Sequence, residues 1–446
     1  MASPRRRLKS AADRLLQSVR RGVVQDTIVY ALGNATAALL PLAILPVLTR
    51  RLSTEEFGFY ANVLAFVAFL VPLVNLGLSN VVARDYIRRQ ELDYPRLVST
   101  CMLMSAGCLI LVAFALLAVT VSAPDLFARF LGKTSITLVV AALLMLASQA
   151  ALPTALAIWQ MQRRVFLYSA VRVFQLGMFA LVAIPIVIFF STSGETLVFA
   201  KAGVDVLVLG FCVLWLAQQK LLVRRTSVSE GVRCIRYGLP LVPHMLSIAA
   251  VGAMDRLIIT YILGAGAAGI YSVGHQIGMV MWLVVNSTNL AWQPWFYRQM
   301  QDGTTDAYIR VVRASAAVAM GWLLIAVLLW SIAPSIVKLV VGETFHDAAG
   351  ITRWIIFGFL FQGLYSLGAS YLYFSGHTGR LAIATIITAV THVVMTFILT
   401  TRNGIEGAAQ AAMLAYFFYF VMVYAMAQYT FRMPWLYAFA TSGAKS

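Results

Sequence analysis

Stretches of about twenty or more residues without a single Asp, Glu, Lys or Arg recur along almost the whole chain, and they constrain its folding more than any other feature. A bilayer core about 30 Å thick takes about 20 helical residues, and in lipid the backbone can satisfy its own hydrogen bonds only as helix or closed barrel. Runs of this length are therefore read as helical spans, and the expectation is an all-α polytopic membrane protein. The runs are 27–49, 57–83, 97–124, 134–162, 173–194, 237–254, 257–297, 314–337, 354–379, 381–401 and 407–431. The 257–297 run is too long for one crossing and is interrupted by Gly264, Gly266 and Gly269, so 237–254 runs on through Asp255 and Arg256 into its first part. Residues 196–219, with Lys201 and Asp205, add one more, for about twelve spans. Composition agrees: 61% of the residues are hydrophobic, 11% are charged and the mean hydropathy is +0.83, too little polar surface to coat soluble domains.

The net charge of +17 would suggest nucleic acid in a soluble protein, but here the charges fall between the apolar runs. With the N-terminus on one side, 25 of the 34 Lys and Arg residues lie in the loops and tails of that side. The positive-inside rule therefore predicts both termini in the cytoplasm and no nucleic-acid partner. The predicted organisation is a basic N-terminal segment 1–26 that suits an interfacial helix, a lobe of spans one to six over 27–219, and a cytoplasmic linker 220–236. A lobe of spans seven to twelve over 237–431 and a cytoplasmic tail 432–446 complete it. Cys101, Cys108, Cys212 and Cys234 show no CxxC spacing, so neither a metal site nor a disulfide framework is indicated.

Twelve spans as two sixes would enter the membrane the same way and give a parallel repeat. An offset of 211 residues aligns Gly58 with Gly269, Tyr60 with Tyr271, Val74 and Asn75 with Val285 and Asn286, and Tyr86 with Tyr297, without a gap. Ser53 and Glu56 form an S-x-x-E pattern, the capping box that opens a helix. Gly58 and Gly269 suit close backbone approach at the rim of the lobes.

Residues 46–60, PVLTRRLSTEEFGFY, and 237–271, which contain Pro240, Asp255, Arg256, Gly269 and Tyr271, resemble the two signature regions of the Wzx-type polysaccharide and O-antigen lipid flippases. That family sits in the superfamily of the MATE multidrug antiporters and the peptidoglycan-precursor flippases. The resemblance implies two six-helix lobes in a MATE-like fold. It also implies alternating-access transport of a polyprenyl-diphosphate-linked oligosaccharide, destined for O-antigen, capsule or exopolysaccharide, across a bacterial inner membrane. Membrane lipids and polysaccharide polymerase or export proteins are the implied partners. Ser53, Glu56, Gly58, Tyr60, Gly269 and Tyr271 are the motif residues.

Charges within spans are costly, about 2.5–3.5 kcal/mol each on insertion scales, and are functional candidates by default. Lys201 and Asp205, four apart, can pair; Asp255 and Arg256 are adjacent and point to different sides, so each needs another partner. Lys201 and Arg256 both lie roughly 9 Å inside the outer ends of their spans, where they either snorkel to the headgroups or offer positive charge to a phosphate. Arg256, Lys201, Arg172 and Arg84 are the candidate diphosphate contacts, although positive-inside charge is the ordinary explanation of Arg84 and Arg172. Asp205 and Asp255 are candidates for counter-ions or for H+ or Na+ coupling. His244, His275 and His392 could carry protons, a structural role being the commoner one. A cation-coupled drug antiporter and a peptidoglycan-precursor flippase remain as alternatives, and a membrane polymerase, ligase or glycosyltransferase is disfavoured because no DxD, HExxH, Walker or GxGxxG pattern stands out. No cofactor or metal is implied, and the expected class is a transporter rather than an enzyme.

Overall fold

The computed structural model describes Val29, residues 32–431 and Met433. The basic segment expected at 1–26 and nearly all of the tail expected at 432–446 lie outside the described residues. The described chain is helical with no strand. Its principal helices are α1 (Leu32–Arg51), α2 (Thr54–Asn75), α3 (Leu78–Asp85), α4 (Tyr94–Ser122), α5 (Pro124–Leu131), α6 (Ile136–Met161) and α7 (Val165–Pro185). They continue as α8 (Gly194–Gln218), α9 (Val228–Gly238), α10 (Val242–Leu263), α11 (Ala265–Asp302), α12 (Thr305–Val340), α13 (Ala348–Phe374) and α14 (Thr378–Thr430).

Among the described residues, eleven helices are long and apolar enough to cross a membrane, α9 and α10 running together as one. The last of them, α14, has 53 residues, about 80 Å of helix and more than twice the hydrocarbon core. At Gly404 (φ 64°, ψ −145°) its backbone leaves the helical region. A Cβ on Gly407 would sit 1.9 Å from the Leu399 carbonyl oxygen, so the chain folds back on itself there. The result is two crossings, twelve in all, as the apolar runs predicted.

Helix starts coincide with short polar side chains that take up otherwise orphaned amides. Ser53 accepts from the amide of Glu56, Ser135 from Leu138, Ser193 from Glu195, Ser227 from Glu230, and Thr304 from Ala307. The predicted second span, 57–83, breaks in two: Pro72 precedes left-handed Leu76 (φ 48°) and Gly77 (φ 71°), and α3 starts anew. The predicted linker is partly helix. Its α9 packs on α3 and α4, with Cys234 buried in the same cluster as Cys101, their sulfurs 3.7 Å apart.

The repeat is visible in the element boundaries. Helix α2 begins at Thr54 and α11 at Ala265, 211 residues on; α4 and α12 begin at Tyr94 and Thr305, again 211 apart; α6 and α13 begin at Ile136 and Ala348, 212 apart. One core cluster draws only on residues 259–433 and another only on 78–234. A third joins the two halves, packing α1, α2, α6 and α8 against Val273, Ile277, Val337, Val341, Phe345 and Ala348. That joint lies at the membrane face opposite the N-terminus.

Candidate functional site

Three features stand out inside the membrane: a glycine seam between the halves and one buried polar network in each half. The seam is built by α2 and α11. A Cβ on Gly58 would lie 1.8 Å from the Ala265 carbonyl oxygen, and a Cβ on Gly269 would lie 2.1 Å from the Thr54 carbonyl oxygen. Thr54 and Ala265 are themselves 211 residues apart, as are Gly58 and Gly269, so the two contacts are one contact repeated about a pseudo-twofold axis. Only hydrogen side chains let the two backbones approach this closely. Around it, Asn62 donates to Thr260 (2.7 Å) and to the Leu131 carbonyl (3.3 Å). Gly342 donates to the Thr49 hydroxyl (3.2 Å), and Arg50 to the Leu339 carbonyl (3.1 Å). These contacts hold the two halves together at the face opposite the N-terminus.

Glu56 shows how the tertiary fold redirects a local motif. The Ser53 half of the capping box forms, but the Glu56 carboxylate does not return to Ser53. It accepts instead from the Gly194 amide at the start of α8 (2.7 Å) and pairs with Lys133 (2.5 Å), tying α2 to two other elements of the first half. Glu56→Ala is expected to cost about 1–3 kcal/mol, because the Gly194 amide loses its acceptor. Glu56→Gln, which keeps an acceptor and loses only a partly exposed ion pair, is expected to cost no more than about 1 kcal/mol. Thermal unfolding of both variants in one detergent measures the difference.

In the first half, Lys201 on α8 pairs with Asp205 one turn on, and Gln175 on α7 donates to the same carboxylate oxygen (2.8 Å). Asp205 is fully buried and Lys201 nearly so. Because α8 starts at the face opposite the N-terminus and runs inward, Lys201 reaches deeper into the membrane to meet Asp205 and does not snorkel outward. Tyr60 stacks on Phe179 (5.8 Å between centroids) beside this network.

In the second half, Asp255 on α10 accepts from Tyr271 on α11 (2.5 Å) and from Thr396 on α14 (3.1 Å). His392 Nε2 lies 2.8 Å from Oδ1, the oxygen that Thr396 also reaches, while Tyr271 takes Oδ2; the His392 ring is wholly buried. Arg256 turns away from this group, as adjacent helical positions must. Its Nε donates to Ser272 (3.1 Å) and its Nη1 to the Gly252 carbonyl (2.8 Å), one turn back along α10. The guanidinium therefore points back into the membrane, and the snorkelling alternative does not hold for it. Among the described residues no carboxylate lies within 4 Å of it.

The other two candidate cations lie elsewhere. Arg172 on α7 donates to Asn34 on α1 (3.1 Å) and to the Tyr168 hydroxyl (3.4 Å). Arg84 on α3 pairs with Asp85 (2.6 Å) and stacks over Tyr237 (4.0 Å), while Arg233 approaches the other Asp85 oxygen (3.4 Å). Arg84 thus fastens α9 to the first half. Of the four candidate phosphate contacts, two are matched by their own carboxylates, Arg172 is held by neutral partners at the α1–α7 joint, and Arg256 alone sits at the junction of α10 and α11 near the seam.

The structural neighbours and relatives agree with this architecture. A model of the family described as polysaccharide biosynthesis protein matches residues 23–300. A protein of Haemophilus influenzae named "Lsg locus putative protein 1" is 20% identical over 421 residues, covering 89% of this chain and 97% of its own. An inward-facing multidrug resistance MATE family transporter of the MOP superfamily superposes with a TM-score of 0.67 at 13% identity, over 94% of this chain and 96% of its own. The lipid II flippase MurJ, in an inward closed conformation, superposes with a TM-score of 0.66 at 11% identity, over 90% and 87% respectively.

Proposed function

Because the chain belongs to the polysaccharide biosynthesis protein family, we propose that it moves a polyprenyl-diphosphate-linked oligosaccharide from the cytoplasmic to the outer leaflet of a bacterial inner membrane. The observation that carries the reading is Arg256. A guanidinium inside the membrane with only neutral partners is a costly group to keep unless an anion visits it. A diphosphate matches a guanidinium well, since the planar fork can bind two oxygens at once. The joined far face and the Gly58–Gly269 seam are the closed gate of an alternating-access cycle, in which headgroups enter from the cytoplasmic side. Asp255 with His392 and Asp205 with Lys201 are the ion-coupling candidates, each a buried carboxylate whose charge a proton can cancel.

The test is translocation of fluorescent undecaprenyl-diphosphate oligosaccharide in proteoliposomes. Arg256→Ala is expected to lower the rate at least tenfold with unfolding temperature retained, and Arg256→Lys to recover part of it. Lys201→Ala is expected to act mainly on stability, since it strands Asp205. Absence of flipping by the wild type, with efflux of a cationic dye down a proton or sodium gradient, overturns the reading in favour of a drug antiporter.

A further inference from the structure

The second half holds a cavity of about 190 Å³ between α10, α13 and α14, well over the roughly 10–15 Å³ that holds one water. Its walls are unusual for a membrane interior. Tyr365, Tyr373, Tyr416 and Tyr419 supply four aromatic faces, and His244 and Gln362 complete the polar lining together with the hydroxyls of Thr385 and Thr388. Tyr365 and Tyr419 stack at 4.1 Å, and the Tyr419 hydroxyl lies 2.8 Å from Thr385. Two polar atoms of this wall, His244 Nδ1 and Gln362 Oε1, are buried and have no partner among the described residues. No Asp, Glu, Lys or Arg lines the cavity.

Each feature narrows the occupant. Orphaned buried acceptors and donors disfavour a hydrocarbon tail, which would leave them unsatisfied. The lack of any formally charged wall disfavours the diphosphate itself. Aromatic faces set beside hydroxyl, amide and imidazole groups suit a ligand with apolar C–H faces and a rim of hydroxyls. We infer that this cavity is a binding subsite for an uncharged sugar ring of the transported headgroup; the inference rests on the flippase reading above.

Position supports it. The cavity runs from Tyr373, 47% exposed near the end of α13, to Gln362, eleven residues and about 16 Å back toward the membrane centre. That mouth is on the face predicted to be cytoplasmic, where the headgroup would enter. Its deep end adjoins the buried network: Val251 and Thr388 line the cavity, and Asp255 and His392 lie one helical turn beyond them on the same helices. Arg256 follows next on α10 but faces Ser272 on α11, so the cavity and the guanidinium occupy two different faces of one helix.

The experiment uses the full chain in nanodiscs and two fluorescent probes, undecaprenyl diphosphate carrying a neutral N-acetylated trisaccharide and undecaprenyl diphosphate without sugar. The wild type is expected to bind the glycosylated lipid more tightly. Tyr365→Ala, Tyr416→Ala and the shape-conserving Gln362→Leu are each expected to weaken that binding at least tenfold and binding of the bare lipid less than twofold. Equal losses for both lipids in all three variants, or no loss for the glycosylated one, overturns the subsite while leaving the flippase reading standing. Wild-type binding without preference for the sugar overturns it as well, and failure to bind either lipid overturns both readings together.

Discussion

Gly58→Val and Gly269→Val are each expected to reduce translocation at least tenfold while the protein stays folded. The reason is the target of the clash. The atoms 1.8 and 2.1 Å from the missing Cβ positions are backbone carbonyl oxygens of Ala265 and Thr54, which cannot rotate aside as a side chain could. Relief requires α2 and α11 to separate, so the substitutions penalise the closed seam and not an arrangement in which it has parted. Labelling of Asn62→Cys by a membrane-impermeant maleimide from the far face should therefore rise in both variants, because Asn62 is wholly buried against Thr260 while the seam is closed. The double variant should add little to either single one, since one parting relieves both clashes. Normal transport in either variant would refute the gate.

The second large effect is expected at Asp255. Asp255→Ala removes the acceptor from Tyr271 and Thr396 and leaves His392 buried without its carboxylate, a loss of about 3–5 kcal/mol in a membrane interior. Asp255→Ala combined with His392→Ala is expected to be less destabilised than the two single losses added together, by at least about 1 kcal/mol, since removing both partners strands neither. Thermal unfolding in a fixed detergent gives the cycle, and strict additivity would show that the 2.8 Å approach of His392 contributes nothing. In the transport assay, Asp255→Asn separates coupling from structure: flipping that continues but no longer responds to an imposed proton or sodium gradient would assign the ion to this carboxylate.

The family and the fold class were legible in the residues because the determinants are local in sequence. Hydrocarbon imposes helix on any long uncharged run, and the charges between the runs fall mostly on one side, so span number follows from counting once Gly404 is seen to split α14. The 211-residue offset, found from five identities, recurs in the starts of α2 and α11 and of α4 and α12, since duplication conserves helix spacing after side chains have diverged. The pairing of Lys201 with Asp205 was equally local, four residues on one helix.

Tertiary structure decided what depends on which helices meet. Nothing in the sequence joins Asp255 to His392, 137 residues away on another helix, and hydropathy cannot report that four tyrosines of α13 and α14 share one cavity. The same local signal also led to different outcomes. Ser53 capped its helix as the pattern predicts, yet Glu56 found a better partner in the amide of Gly194 at the start of α8. Arg84 was spent on Asp85 and Tyr237, whereas Arg256 kept only neutral contacts. A charge in a membrane goes where its desolvation is best offset, and the groups able to offset it are brought within reach only by the packing of the helices.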